Sequence, residues 1–284
     1  MKNILVPTDF SDCAAHAKDA ALQLAKKTGA ALTYIHIMDI PRNWGVLGNG
    51  KLLDYPEQIR EQIGVAEVQM DNLVKMATKE GVTAKKILTY DQNLEDLIRH
   101  IENHDYDMVV MGSHGASGMK EVFLGSVAQK VLRGSTAPVL VIKSKIEDLK
   151  IENIAFASTF KEDVDEPFRY IKTIADAFGA KIHLVYINMP FAFEETHKSE
   201  ARMQAFLDKF PVSNCTMNIF NSFDEEAGIL QFAKQHKIDL IATTTHGKSG
   251  FIQMLSPSIT ESLANHAQQL VLSVNVKAYQ SAKA

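Results

Sequence analysis

The chain is written twice. KNILVPTDF at 2–10 returns as ENIAFASTF at 152–160, and TGAALTYIHIMDIP at 28–41 returns as FGAKIHLVYINMP at 178–190, both displaced by 150 positions (152 − 2). YDMVVMGSHGASG at 106–118 returns as IDLIATTTHGKSG at 238–250, and PVLVIK at 138–143 as LVLSVN at 270–275, both displaced by 132 (238 − 106). Four matches in one order define two copies, 1–145 and 146–284, joined by the charged stretch KSKIEDLKIEN at 143–153. The second copy carries a net deletion of 18 residues (150 − 132) between its second-strand match and residue 238.

Within each copy, short apolar runs alternate with helical patterns. In the first copy the runs are 4–6, 32–37, 86–88, 108–111 and 139–142. Most are continuous rather than alternating, which marks strands covered on both faces, as in a parallel sheet. Between them, Ala14, Ala17, Ala21 and Leu24 fall on one face of a helix that starts at Ser11 and stops at Gly29. A long helical pattern begins near Pro56, a third is striped by Leu94, Leu97, Ile98 and Ile101, and a fourth opens at Ser126. This rhythm predicts βαβ units, so each copy is expected to be a five-stranded, doubly wound α/β domain.

Bulk properties narrow the function. The chain is 46% hydrophobic and 23% charged, enough for real cores, and its net charge of −4 argues against an electrostatic grip on nucleic acid or anionic membrane. Two cysteines, Cys13 and Cys215, give neither a disulfide framework nor a zinc quartet and fit a reducing compartment. The N-terminal apolar run is too short for a signal peptide and no stretch is long enough to span a bilayer, so the expectation is a cytoplasmic protein.

The Gly247-Lys248-Ser249 triplet comes close to a P-loop, but the position five residues before Gly247 is Ala242 rather than glycine. Its counterpart, MGSHGASGMKEVFLGSVAQKVL, carries Gly112, Gly115, Gly118 and Gly125-Ser126 with no lysine where a P-loop needs one. The spacing Gly112-x2-Gly115-x9-Gly125-Ser126 after an apolar strand resembles the nucleotide-binding motif of the universal stress protein family. ILVPTDFS at 4–11 is similar to that family's first strand and its aspartate-bearing turn, and PVLVIK to its last strand. Both copies align over nearly their full lengths, so the chain resembles a tandem universal stress protein.

The resemblance implies strand order 3-2-1-4-5 and an ATP or other adenine-nucleotide site at the reversal point between strands one and four. It places Asp9 beside the nucleoside and Pro7 and Ile37 against the base. Met111, Gly112, Gly115, Gly125, Ser126 and Val127 fall around ribose and phosphates. A divalent cation such as Mg would be held mainly by phosphate oxygens and water, with no protein metal cage and no catalytic residue assigned. The physics agrees: ligands of open parallel sheets bind past the strands' carboxyl ends where strand order reverses. Glycines there let backbone approach phosphate, and a helix opening at Gly125-Ser126 offers free N–H groups to an anion.

Other uses of the same residues are bland. Glycines 112, 115 and 118 could merely build a tight turn, and Asp9 could cap the following helix. His114 and His246 read as loop-packing residues, His36 as core or pocket wall, and Cys13 as packing. The stretch 41–56, with the chain's one tryptophan (Trp44), reads as a loop, as does the aromatic and acidic 189–200.

The second copy departs at key places: Pro7 becomes Ala157, Asp9 becomes Thr159, Gly112 becomes Thr244 and Gly125 becomes Pro257. Gly247, Gly250 and Ser258 persist, and Lys248 is an extra cation. A proline lacks the N–H that a phosphate-facing position wants, so the second copy is expected to bind ATP weakly or not at all. Family members of one domain commonly dimerise through the edge of the last strand. Here the two last strands, at 139–142 and 271–274, are expected to pair within one chain as a pseudo-twofold dimer, with a homodimer of chains as a further assembly.

The functional expectation is a cytoplasmic stress-response protein that binds an adenine nucleotide in its first copy and acts as a nucleotide-dependent regulator or scaffold towards an unknown protein partner. The alternatives are a slow nucleotide hydrolase or transferase using Asp9 or His114, and an interaction module that has lost nucleotide binding. No base, arginine finger or metal ligand set for fast phosphoryl transfer is evident, so hydrolysis is expected to be slow at most.

Overall fold

The computed structural model describes residues 1–38, 56–90, 95–114, 124–161, 164–245 and 259–276. In the first half the strands are β1 (Asn3–Pro7), β2 (Ala31–Met38), β3 (Ala84–Tyr90), β4 (Met108–Gly112) and β5 (Val139–Ile142). They alternate with α1 (Asp12–Thr28), α2 (Glu57–Lys79), α3 (Glu95–Glu102) and α4 (Ser126–Gly134). The second half repeats this with β6 (Asn153–Ala157), α5 (Asp165–Phe178), β7 (Lys181–Asn188), α6 (Thr196–Lys209), β8 (Cys215–Asn221), α7 (Glu225–Gln235), β9 (Leu240–Thr245), α8 (Ile259–His266) and β10 (Leu270–Asn275). Leu94, Trp44 and the 41–55 loop lie outside the described residues. No helix among those described is long and apolar enough to cross a membrane.

The ten strands form one sheet of order β3-β2-β1-β4-β5-β10-β9-β6-β7-β8. Each half is parallel with order 3-2-1-4-5, and the halves join where β5 meets β10 antiparallel, Leu140 opposite Leu272. Every residue of β4 and of β5 is buried, which accounts for their uninterrupted apolar sequence. Along β1, Ile4 and Val6 enter the layer on one face of the sheet and Leu5 the layer on the other. Both layers run through the two halves without a break, Leu140 and Ile142 sharing one with Leu272 and Val274.

Helix α1 approaches the sheet through a row of small residues. Ala14, Ala17, Ala20, Ala21 and Ala25 are buried with Leu24. Ser11 caps its start, Oγ accepting from Ala14 N at 3.2 Å, and Gly29 ends it at φ 73°, a left-handed turn that glycine adopts without strain. Gly179 ends α5 the same way at φ 69°. The sequence deletion falls between β7 and β8: α6 has 14 residues where α2 has 23.

The contacts between halves repeat about the pseudo-twofold axis. Lys143 Nζ donates to the carbonyls of Leu263, at 3.4 Å, and Ala267 at the end of α8. Asn275, its counterpart, donates to Ser135 O at 3.3 Å at the end of α4. Burial lowers the Lys143 pKa to about 8. Arg133 of α4 also grips Glu261 of α8 through two bonds, Nε–Oε1 at 2.5 Å and Nη2–Oε2 at 2.7 Å, where the mirror positions hold Asn265 and Gln129. The Glu261 side chain is 3% exposed against 46% for Arg133.

A buried carboxylate stripped of its partner is costly, so Arg133→Ala should destabilise the fold by about 2–4 kcal/mol in urea unfolding. Joint replacement of Arg133 and Glu261 by leucine should recover most of that loss.

Candidate functional site

Strand order reverses at β1, whose chain neighbour β2 lies on one side while β4 lies on the other. The connections leaving β1 and β4 therefore diverge, and a crevice opens past their carboxyl ends. It encloses about 740 Å³ of free space, part of it open to solvent. Pro7, Thr8 and Asp9 line it from the β1–α1 loop, and Ala14 from α1. Ile35 and Ile37 enter from β2, Leu97 from α3, and Met111, Gly112, Ser113 and His114 from the end of β4. Gly125, Ser126, Val127 and Ala128 close the opposite wall at the start of α4.

The sequence-predicted residues Pro7, Asp9, Ile37, Met111, Gly112, Gly125, Ser126 and Val127 thus come together in one place. Gly115 and Gly118 lie outside the described residues. Missed by the sequence reading were Thr8, Ser113 and His114 as wall residues, and Ile35, Leu97 and Ala128 as its apolar lining. Ile35 was legible in principle, because residues two apart on a strand share a face with Ile37.

The β1–α1 loop is held from several sides. Thr8 N donates to Ile35 O at 2.9 Å, and Phe10 N to Thr8 Oγ1 at 3.1 Å. His36 Nδ1 lies 2.7 Å from Thr8 O, a pure acceptor, so Nδ1 carries a proton and the ring ties β2 to the loop. Its ring also packs against Phe10, which sits at φ 62°; Phe160 holds the same left-handed conformation at φ 54° in the second half. His36 does not line the crevice. Asp9 does, and it is exposed. Its Oδ1 accepts from both Ser11 N, at 3.1 Å, and Ser11 Oγ, at 2.6 Å. The cap of α1 is therefore Ser11, and Asp9 steadies the cap rather than serving as one.

On the other wall, Gly112 is a packing necessity. A Cβ there would stand 2.9 Å from both the carbonyl oxygen and the Sγ of Cys13, so the glycine is what lets α1 lie against the end of β4. Gly125 is the N-cap residue of α4 at φ −61°, and no side chain among the described residues caps that helix. Its own N–H is already used, donating to Ser113 O at 2.7 Å. The first intrahelical bond runs from Gln129 N to Gly125 O at 2.9 Å. The donors α4 presents are accordingly the N–H groups of Ser126, Val127 and Ala128, at the positive end of the helix dipole.

The approach to α4 is also tied to the second half. Leu124 N, just before Gly125, donates to Asn265 Oδ1 of α8 at 2.5 Å.

At the described positions the second half is packed differently. Ala157 and Ile187, counterparts of the half-buried Pro7 and Ile37, are 8% and 6% exposed. Thr243 and Thr260 replace Met111 and Ala128, and their hydroxyls bond each other at 2.9 Å from β9 to α8. Thr244 stands where Gly112 does. Helix α5 starts at Asp165, the counterpart of Ala15, and Asp163, the counterpart of Cys13, lies outside the described residues. His246, Gly247, Lys248, Gly250, Pro257 and Ser258 lie outside the described residues.

With this geometry in place, comparison with known proteins is decisive. The model of the universal stress protein family matches residues 1–143 and 223–275. The chain belongs to the universal stress protein family. Universal stress protein YxiE of Bacillus subtilis is 31% identical over 148 residues, 49% of this chain and 97% of that relative. Universal stress protein Slr1230 of Synechocystis is 21% identical over 277 residues and matches the tandem arrangement, with 92% of this chain and 95% of that one aligned. Among solved structures, a universal stress protein from Archaeoglobus fulgidus superposes with a TM-score of 0.77 at 21% identity, covering 96% of this chain and 98% of its own. The family model does not match 144–222, yet β6, β7 and β8 there keep the universal stress protein topology.

Gly112→Ala should destabilise the fold by about 1–3 kcal/mol, the usual range for overpacking a tight contact. Cys13→Ala should fail to rescue it, because the Cys13 carbonyl obstructs as closely as the sulfur. Thermal unfolding of the single and double variants is the measurement.

Proposed function

We propose that the first half, residues 1–145, binds ATP or a related adenine nucleotide, and that the second, residues 146–284, is a degenerate copy that supports it. The observation that carries this reading is the contrast between the two halves at the described positions. In the first, Ser126, Val127 and Ala128 at the start of α4 line a space with apolar walls; in the second, the counterparts of Pro7 and Ile37 are buried and those of Met111 and Ala128 are joined to each other.

The division of labour within the site follows from chemistry. Pro7, Ile35 and Ile37 form an apolar wall suited to a base, on the side of the crevice made by β1 and β2. Asp9, fixed by Ser11, is placed to accept from a ribose hydroxyl. Ser126 and Val127 offer main-chain donors to phosphates, with Gly112 keeping the floor free of side chains. Gly115 is assigned to the same phosphate loop from the motif. A Mg ion accompanying the triphosphate would be held by phosphate oxygens and water, with Asp9 the nearest carboxylate in the lining.

A site that binds through main-chain donors and apolar walls holds a nucleotide rather than processes it. We read the protein as a cytoplasmic stress-response regulator or scaffold whose state reports nucleotide occupancy, with any hydrolysis slow.

Calorimetric titration of the full chain with ATP should give one equivalent per chain. Gly125→Pro imports the residue found at 257. Its φ suits proline, but the bond to Ser113 O is lost, so ATP affinity should fall about tenfold or more. Two equivalents per chain, or unchanged affinity in the variant, would refute the reading.

A further inference from the structure

His114 lines the crevice and has no part in the reading above. Its Nδ1 lies 2.7 Å from Ser113 Oγ, and Ser113 is only 1% exposed. Among the described residues, the other polar neighbour of the serine hydroxyl is Cys13 Sγ at 3.8 Å. That thiol donates to Ile142 O at 3.6 Å, an oxygen that can only accept.

These contacts fix where the protons sit. With the Cys13 thiol turned to Ile142, the Ser113 hydroxyl is left to donate to the best acceptor in reach, His114 Nδ1. In the neutral ring the remaining proton is then on Nε2. In the imidazolium, Nδ1–H donates to Ser113 Oγ instead, and the hydroxyl hydrogen turns away with no heavy atom moving. In both states Nε2 carries a proton and is the ring nitrogen left for the crevice.

We infer that His114 is a side-chain ligand for the phosphates of the bound nucleotide, with Ser113 as the residue that positions it. This rests on the nucleotide reading of the crevice and adds to it a discrimination: phosphorylated nucleotides over nucleosides, sharpened as pH falls. An imidazole changes charge between about pH 5 and 8, and the cation binds phosphate more strongly than the neutral ring. A wild-type affinity for ATP that rises as pH drops, relative to the variants, is the signature of this contact.

The titratable groups around His114 are Asp9 on the β1–α1 loop, which lines the same crevice, and Cys13 of α1, reached through Ser113. β5 contributes Ile142, α3 contributes Leu97, and the start of α4 contributes Gly125 to Ala128, none of which changes charge in that range.

The test is titration of the full chain with ATP and with adenosine from about pH 8 to about pH 6, read as the ratio of wild type to variant so that ATP's own protonation cancels. His114→Ala should weaken ATP binding about tenfold at the acid end, the worth of one charge-assisted hydrogen bond, and clearly less at the alkaline end. Adenosine binding should be unchanged. His114→Gln keeps an uncharged N–H donor; it should hold ATP near the wild-type level at alkaline pH and lose the rise on acidification. Parallel pH profiles for wild type and both variants, or equal weakening of adenosine and ATP, would overturn the inference and leave the nucleotide reading standing. Failure of wild type to bind either compound would overturn both.

Discussion

Antiparallel pairing of β5 with β10 is the constraint from which the rest of the architecture follows. Each half ends in a largely buried strand, with four buried apolar residues in β5 and three in β10, and with one edge unpaired inside its own half. Such an edge is a template for association unless covered. Joining the two edges satisfies both sets of main-chain groups, merges two sheets into one and makes the hydrophobic layers on either face continuous. It also sets α4 beside α8, so that the buried Glu261 takes a counter-charge from the opposite half.

The same adjacency reaches the candidate site. Asn265 of α8 holds the N–H of Leu124, one residue ahead of the glycine from which α4 starts. The second half thus supplies a fixed point beside the crevice of the first. Departures that look like decay in a single copy have a stabilising side: the buried hydroxyls of Thr243 and Thr260 satisfy each other and join β9 to α8.

Much of this was legible in the sequence, for identifiable reasons. Repetition gave two copies of one fold. Unbroken apolar runs gave parallel strands, though the run expected at 86–88 proved to be the middle of β3, Ala84–Tyr90, because Lys85 on one side and Thr89 on the other break the apolar pattern. The pairing of 139–142 with 271–274 followed from both being edges, and the observed partners are Leu140 and Leu272. What stayed hidden depends on three-dimensional bonding. No pattern reveals that the Gly125 N–H is consumed by Ser113, or that Ser11 rather than Asp9 caps α1. Gly112 read as a residue that bares backbone to phosphate; its environment shows a second reason, the closeness of Cys13. His36, read as core or pocket wall, proved to be a tether on the neighbouring loop.

Placing both partners on one polypeptide has a consequence that two identical subunits could not share. In a homodimer any substitution appears on both sides of the axis, so a change that suits a silent partner also spoils the working one. Here Arg133 can face Glu261 while the mirror positions hold Gln129 and Asn265. Covalent linkage frees each side to specialise without renegotiating the contact that binds them.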